Sequence, residues 1–227
     1  MNVVITGGGR GLGCTLTRRF AAQGAAAVVV TARDLVAAQR TCDPLPGAHA
    51  VRCDLADPAS VRRCAAEVEQ RLGHVDVLVD NGAAFLATSE ATSEATDDAI
   101  VATVLSGAAG TVLASESFLP LLRRSRRPDV VTIVSLEAES RSDPAHVAHA
   151  AFHAAEAGQG RYAELMSRRL RPEGIRVISL HLPDFDDDEN TPCDGVLTTQ
   201  SVADCVLFAV NQPRDCFLRS FHFEPMP

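Results

Sequence analysis

Short apolar, β-branched runs alternate along the chain with longer segments whose apolar residues recur at helical spacing. Asn2 to Thr6, Ala26 to Thr31, Ala48 to Cys53, Val75 to Val79, Val130 to Ser135, Ile175 to His181 and Phe217 to Phe223 read as strands. The segments between them read as helices. Helix starts are expected at Asp57-Pro58 and Asp143-Pro144, where an acidic N-cap precedes a proline at the first helical position. Strands that are apolar throughout, rather than on alternate residues, must be covered on both faces. The pattern therefore predicts an α/β fold, a doubly wound parallel sheet of about seven strands in three αβα layers, with residues 1–227 as a single domain. Pro183 to Thr199 is the least regular stretch and holds Asp184, Asp186, Asp187, Asp188 and Glu189. It reads as a solvated loop over the carboxyl end of the sheet, where open α/β folds bind ligands.

Composition narrows the function classes. The net charge of -8 argues against generic attraction to nucleic acid. Arg123, Arg124, Arg126 and Arg127 read as a solvated helix end. No apolar run approaches the roughly 20 residues needed to span a bilayer, and Met1 leads into a strand-like stretch, so a cytoplasmic protein without membrane contact is expected. The seven cysteines, Cys14, Cys42, Cys53, Cys64, Cys193, Cys205 and Cys216, are scattered and form neither a CxxC pair nor a disulfide pattern. All 21 cationic side chains are arginine, and the single tyrosine is Tyr162. Chemistry that requires lysine is excluded.

The run Thr6-Gly7-Gly8-Gly9-Arg10-Gly11-Leu12-Gly13 follows the first strand and precedes a helix-compatible stretch. Glycines let a backbone approach a pyrophosphate, and free N–H groups at a helix start favour its charge. The second strand ends at Thr31-Ala32-Arg33-Asp34, so an arginine stands where an acid would bind the ribose hydroxyl of NAD. With Arg10 it could clamp a 2'-phosphate, which points to NADP(H). Asp34 keeps NAD(H) as the alternative.

These features, with Cys53-Asp54-Leu55, Leu78-Val79-Asp80-Asn81-Gly82-Ala83, Val130 to Ser135 and Pro183-Asp184, resemble the short-chain dehydrogenase/reductase family over essentially the whole chain. The resemblance implies a Rossmann-type fold and a cofactor site at Gly7, Gly9, Arg10, Gly11, Leu12, Gly13, Arg33, Asp54, Leu55, Asn81, Gly82, Ala83, His153 and Pro183. Asp54 would meet the adenine, and Asn81-Gly82 would lie beside the adenosine ribose. It also implies a small-molecule substrate and a homodimer or homotetramer, assembled through helices at Asp97 to Arg124 and Pro144 to Arg171.

The catalytic positions depart from that family. Its asparagine falls on Val104, its serine on Leu136 after Ser135, its tyrosine on His149 and its lysine on His153. Leucine has no donor for a developing oxyanion, and valine cannot hold a relay water through its side chain. Imidazole can exchange a proton near neutrality, so His149, His153 and Ser135 are the candidate catalytic residues. A helix would put His146, His149 and His153 on one face, yet histidines on an alanine-rich helix are more often packing or surface residues, and no metal is assigned. Three readings remain. They are an atypical oxidoreductase-like or proton-transfer enzyme using His149 and His153, a non-catalytic cofactor-binding protein, and a conventional NADPH-dependent carbonyl reductase.

Overall fold

The computed structural model describes residues 1–86, 95–136, 148–183, 185–186 and 197–224. Its central sheet contains β1 (Asn2–Thr6), β2 (Ala27–Ala32), β3 (Ala48–Arg52), β4 (Val77–Asp80), β5 (Asp129–Ser135), β6 (Arg176–Leu182) and β9 (Ser220–His222). They run in the order β3-β2-β1-β4-β5-β6-β9, and every pairing is parallel. The expected seven-stranded sheet is thus present. Two short strands, β7 (Phe185–Asp186) and β8 (Leu197–Thr198), pair parallel inside the segment expected to be wholly loop. Most of its acidic run lies outside the described residues.

Successive residues of each strand serve opposite faces, and this builds two apolar layers on one sheet. Val3, Ile5, Val28 and Val30 pack with Leu16 and Phe20 of α1 (Gly11–Ala22), Ala38 of α2 (Leu35–Cys42) and Val206 of α7 (Thr199–Asn211). Val4, Val29 and Leu78 face the other way, onto Val61 and Val68 of α3 (Pro58–Leu72), Phe118 and Leu122 of α5 (Gly110–Leu122), and Met166 and Leu170 of α6 (Ala150–Leu170). Each fully buried aliphatic side chain contributes about 1.5–3 kcal/mol. The expected cap at Asp57 is present, its carboxylate accepting from Ala59 N at 2.8 Å. Asp143-Pro144 lies outside the described residues.

Four expectations need correction. The helix expected from Asp97 to Arg124 is α4 (Asp97–Val104), a π-helical turn at Leu105–Ala109, and α5. Gly107 and Gly158 explain the close approach of this run to α6. A methyl on Gly107 would meet Ala155 Cβ at 2.9 Å, and one on Gly158 would meet Ala108 Cβ at 3.1 Å. The continuous run Asp97–Leu122 is also long and apolar enough, by length and composition, to cross a membrane, contrary to the sequence estimate. Ala114, Phe118, Leu119, Leu121 and Leu122 pack into the core, while Val101, Val104 and Leu105 are exposed. Finally, β9 is limited to three residues because the chain before it is held elsewhere: Phe217 carries the Arg171 guanidinium at 5.2 Å, and Cys216 O accepts from Arg176 Nη1. The arginine-rich end of α5 is more engaged than expected, with Arg123 on Glu173, Arg124 on Glu69 and Arg127 on Val210 O.

At the amino end of the sheet lies a buried ion cluster. Arg176 grips Asp129 with two bonds of 2.8 and 2.7 Å, and Arg214 adds a third at 2.7 Å. Arg176 also donates to Val210 O, Gln212 O and Cys216 O, which ties the segment after α7 to the starts of β5 and β6. Asp129 is 1% exposed, so removing its charge leaves Arg176 buried without a counterion. Asp129→Asn is expected to cost roughly 3–5 kcal/mol, read in urea as a lower midpoint with an unchanged slope; a loss under about 1 kcal/mol would deny the cluster this role.

Candidate functional site

β1 pairs with β2 on one side and β4 on the other, and the connections from these strands leave in opposite directions at their carboxyl ends. A doubly wound sheet opens a crevice at such a point. Here the two backbones are locked together. Thr6 Oγ1 donates to Val79 O and accepts from Asn81 N at 2.9 Å and Gly82 N at 3.0 Å. Asn81 Nδ2 donates back to Thr6 O at 3.1 Å and to Gly7 O at 3.3 Å. Gly7, at φ +66°, and Gly13 make the turn possible. A methyl on Gly7 would lie 2.6 Å from Gly82 Cα, and one on Gly13 would lie 2.5 Å from Gly7 O.

Two hollows meet at this lock, sharing Gly7, Arg10, Gly82 and Ala83. The first, about 330 Å³, is a cleft lined also by Gly9, Arg33, Asp34, Cys53, Asp54, Leu55 and Ser106. The second, about 500 Å³, is a cavity lined also by Gly11, Leu12, Asn81, Phe85, Ile133, Ser135, Phe152, Glu156, Leu182 and Pro183. Phe85 and Phe152 meet edge to face at 5.1 Å, giving it an aromatic wall.

The chain fits a nucleotide cofactor on two observations. First, α1 starts at Arg10 with no side chain on its free N–H groups, whereas Asp34, Asp57, Thr96, His149 and Thr198 cap α2, α3, α4, α6 and α7. The amides of the glycine turn are left for an anion. Second, Asp34 Oδ1 accepts from Val36 N at 2.9 Å and Ala37 N at 3.2 Å. Its charge is drawn onto its own helix, and Arg10 and Arg33 are the cations lining the cleft.

Of the cofactor residues expected from sequence, Gly7, Gly9, Arg10, Gly11, Leu12, Arg33, Asp54, Leu55, Asn81, Gly82, Ala83 and Pro183 line one hollow or the other, and Gly13 stands behind the turn. His153 lines neither; its Nε2 lies 3.3 Å from Ala148 O. Among the catalytic candidates Ser135 alone lines the cavity. The expectation that His146, His149 and His153 share a helical face is corrected. α6 starts at Ala150, because His149 is extended (φ -71°, ψ 147°) and its Nδ1 accepts from Ala151 N at 3.1 Å. His146 lies outside the described residues. Among those residues no group of three His, Cys, Asp or Glu side chains could hold a metal ion. Tyr162 is away from both hollows and donates to Glu116.

The profile for short chain dehydrogenases matches residues 1–192. The chain belongs to this family. Among curated short-chain dehydrogenases it is 30% identical over 175 residues to granaticin polyketide synthase putative ketoacyl reductase 2 of Streptomyces violaceoruber, covering 77% of this chain and 68% of that one. It is 34% identical over 167 residues to dehydrogenase/reductase SDR family member 7B of Bos taurus, covering 68% and 50%. The chain spans about half the length of that bovine relative and of the human short-chain dehydrogenase/reductase 3. Among solved structures, a short chain dehydrogenase from Burkholderia cenocepacia J2315 in complex with NADP is 27% identical with a TM-score of 0.83, covering 98% and 95%. Serine dehydrogenase from Escherichia coli, 21% identical, shares the fold at a TM-score of 0.85, covering 99% and 98%.

Two buried acids were not evident from the sequence. Glu156 lies in the cavity wall, and Asp80, 2% exposed, ends β4 with Ser115 Oγ donating to it at 2.7 Å. Burial pushes each up to about 7, opposed by the Ser115 bond at Asp80 and by the Ser135 backbone bond at Glu156. A carboxyl raised in this way adds stability that is complete below the ordinary carboxylate range and is lost as pH climbs to about 7. Asp80→Asn should flatten the fall in melting temperature between pH 4 and pH 7, recovering about 1 kcal/mol or more at neutral pH. A variant with the wild-type pH slope would show that Asp80 does not carry the effect.

Proposed function

We propose that this chain binds NADP(H) in the cleft lined by Arg10 and Arg33 and a small molecule in the adjoining cavity. The scaffold is that of an oxidoreductase, with Val104, Leu136, His149 and His153 in place of the family's asparagine, serine, tyrosine and lysine. The engagement of Asp34 with its own helix carries the cofactor assignment. It takes the nearby carboxylate out of competition and leaves two guanidinium groups for a 2'-phosphate. The Burkholderia relative, in complex with NADP, supports the same choice.

The two hollows divide the cofactor between them in this reading. The uncapped turn before α1 takes the pyrophosphate, Asp54 and Leu55 bound the adenine end, and Asn81 with Gly82 holds the sugar side. The walls at Phe85, Phe152 and Leu182 give the cavity its apolar side. A nicotinamide bound there supplies hydride chemistry. The placement of His149 as a helix cap and of His153 against Ala148 O favours a second reading, in which those two imidazoles have become structural and the protein only binds. A cytoplasmic setting belongs to the proposal, as does a homodimer or homotetramer. Exposed Val101, Val104, Leu105 and Leu165 on α4, the π turn and α6 support the assembly.

Fluorescence titration tests the cofactor. NADPH should bind at least about tenfold more tightly than NADH, and Arg33→Ala should remove most of that difference, about 1.4 kcal/mol. Equal binding of both would overturn the NADP(H) preference, and no binding of either at millimolar levels would overturn the cofactor site. Sedimentation should show a dimer or tetramer; a monomer at all concentrations refutes the assembly.

A further inference from the structure

Beside the small Ser167, two long polar side chains interrupt the inner face of α6, which is otherwise built from Ala151, Ala155, Ala163, Met166 and Leu170: Glu156 is 4% exposed and Gln159 is 1% exposed. Their cause lies on β5. That strand pairs with β6 as far as Ser135, but its ladder with β4 ends at Thr132. Beyond that point Gln159 Nε2 donates to Ile133 O at 2.6 Å, and Glu156 Oε2 accepts from Ser135 N at 2.7 Å. An amide serves both needs without charge, and at 159 the chain uses one. At 156 it uses a carboxyl, in the wall of the larger cavity.

The surroundings of Glu156 favour its neutral form. Arg10, on the turn before α1, is the other ionisable side chain among the described cavity walls. On its own helix His153 is turned to Ala148 O. On β6 His181 stacks on His222 at 4.4 Å, and both line a separate hollow. Glu116 of α5 accepts from Tyr162, and Asp97 and Asp98 of α4 are exposed. Among the described residues no cation touches the Glu156 carboxyl, and burial raises its pKa to about 7.

We propose that Glu156 is the proton-bearing group of this cavity, donating a hydrogen bond from its neutral carboxyl to the oxygen of an uncharged carbonyl compound seated against Phe85, Phe152 and Leu182. When that carbonyl is reduced, its carbon gains the hydride that a reduced nicotinamide supplies and its π pair moves to oxygen. The oxygen takes the Glu156 proton. One O–H bond breaks on the acid, one forms on the alcohol, and the carboxylate regains a proton from water. The reduction step rests on the NADP(H) reading; the protonation state of Glu156 does not.

Glu156→Gln keeps an acceptor for Ser135 N, so its fold should match wild type. The infrared difference between wild type and this variant, taken without ligand, isolates Glu156 from Asp80. It should show a protonated carboxyl band that titrates with a midpoint near 7. Acetophenone, a neutral aryl ketone, should bind wild type more weakly as pH rises past that midpoint and bind Glu156→Gln independently of pH. Reduction of aryl aldehydes and ketones should fall about 10²-fold or more in the variant at similar KM. A band that titrates in the ordinary carboxylate range, acetophenone affinity independent of pH in wild type, absence of acetophenone binding, or unimpaired turnover of Glu156→Gln would each overturn the proposal. Failure of NADPH to bind wild type would instead refute the cofactor reading, leaving the infrared titration to decide Glu156.

Discussion

Between the carboxyl ends of β1 and β4 the two backbones approach so closely at Gly7 and Gly82 that one methyl group would sit 2.6 Å from the opposing Cα. Thr6 and Asn81 fasten that approach with reciprocal bonds between backbone and side chain. The turn before α1, the cleft beside Arg33 and the cavity beside Glu156 all take their position from it. Gly13 then lets α1 start against Gly7 O, which directs its uncapped amides into the same space. The open turn here is a by-product of strand contact, since the glycines needed to bring the chains together also leave their N–H groups open.

The sheet and this turn were legible in sequence because their signals are local. Valine and isoleucine runs, an Asp-Pro cap at 57–58 and a glycine-rich step after the first strand need no distant partner to be understood. Most residues around the cleft were legible for the same reason. What escaped was polar chemistry defined by remote partners. Glu156 and Gln159 look like surface residues on a helix until β5 is seen to run past its last β4 partner, 21 and 26 residues away in sequence. Asp34 looked like a competitor of Arg33 until its carboxylate was found on Val36 N and Ala37 N. The one available signal was a polar residue recurring at positions 156 and 159 on the otherwise apolar stripe of α6.

His149 shows how a motif can be aligned and still be misplaced in space. Its spacing from His153 matches a helical pair, yet its extended backbone and its bond to Ala151 N make it the stop before the helix. An imidazole that accepts from a backbone amide gives up that ring nitrogen to the fold. The acid on the cavity wall is Glu156, one turn further along α6 than His153.

The Asp129, Arg176 and Arg214 cluster lies at the opposite end of the strands from both hollows. It binds the starts of β5 and β6 to the returning chain, using none of the residues that line the cleft or the cavity. Such a separation lets one end of the sheet drift in evolution while the other keeps the architecture. A substitution in the cleft or the cavity therefore leaves the contacts that anchor the far end of the strands in place.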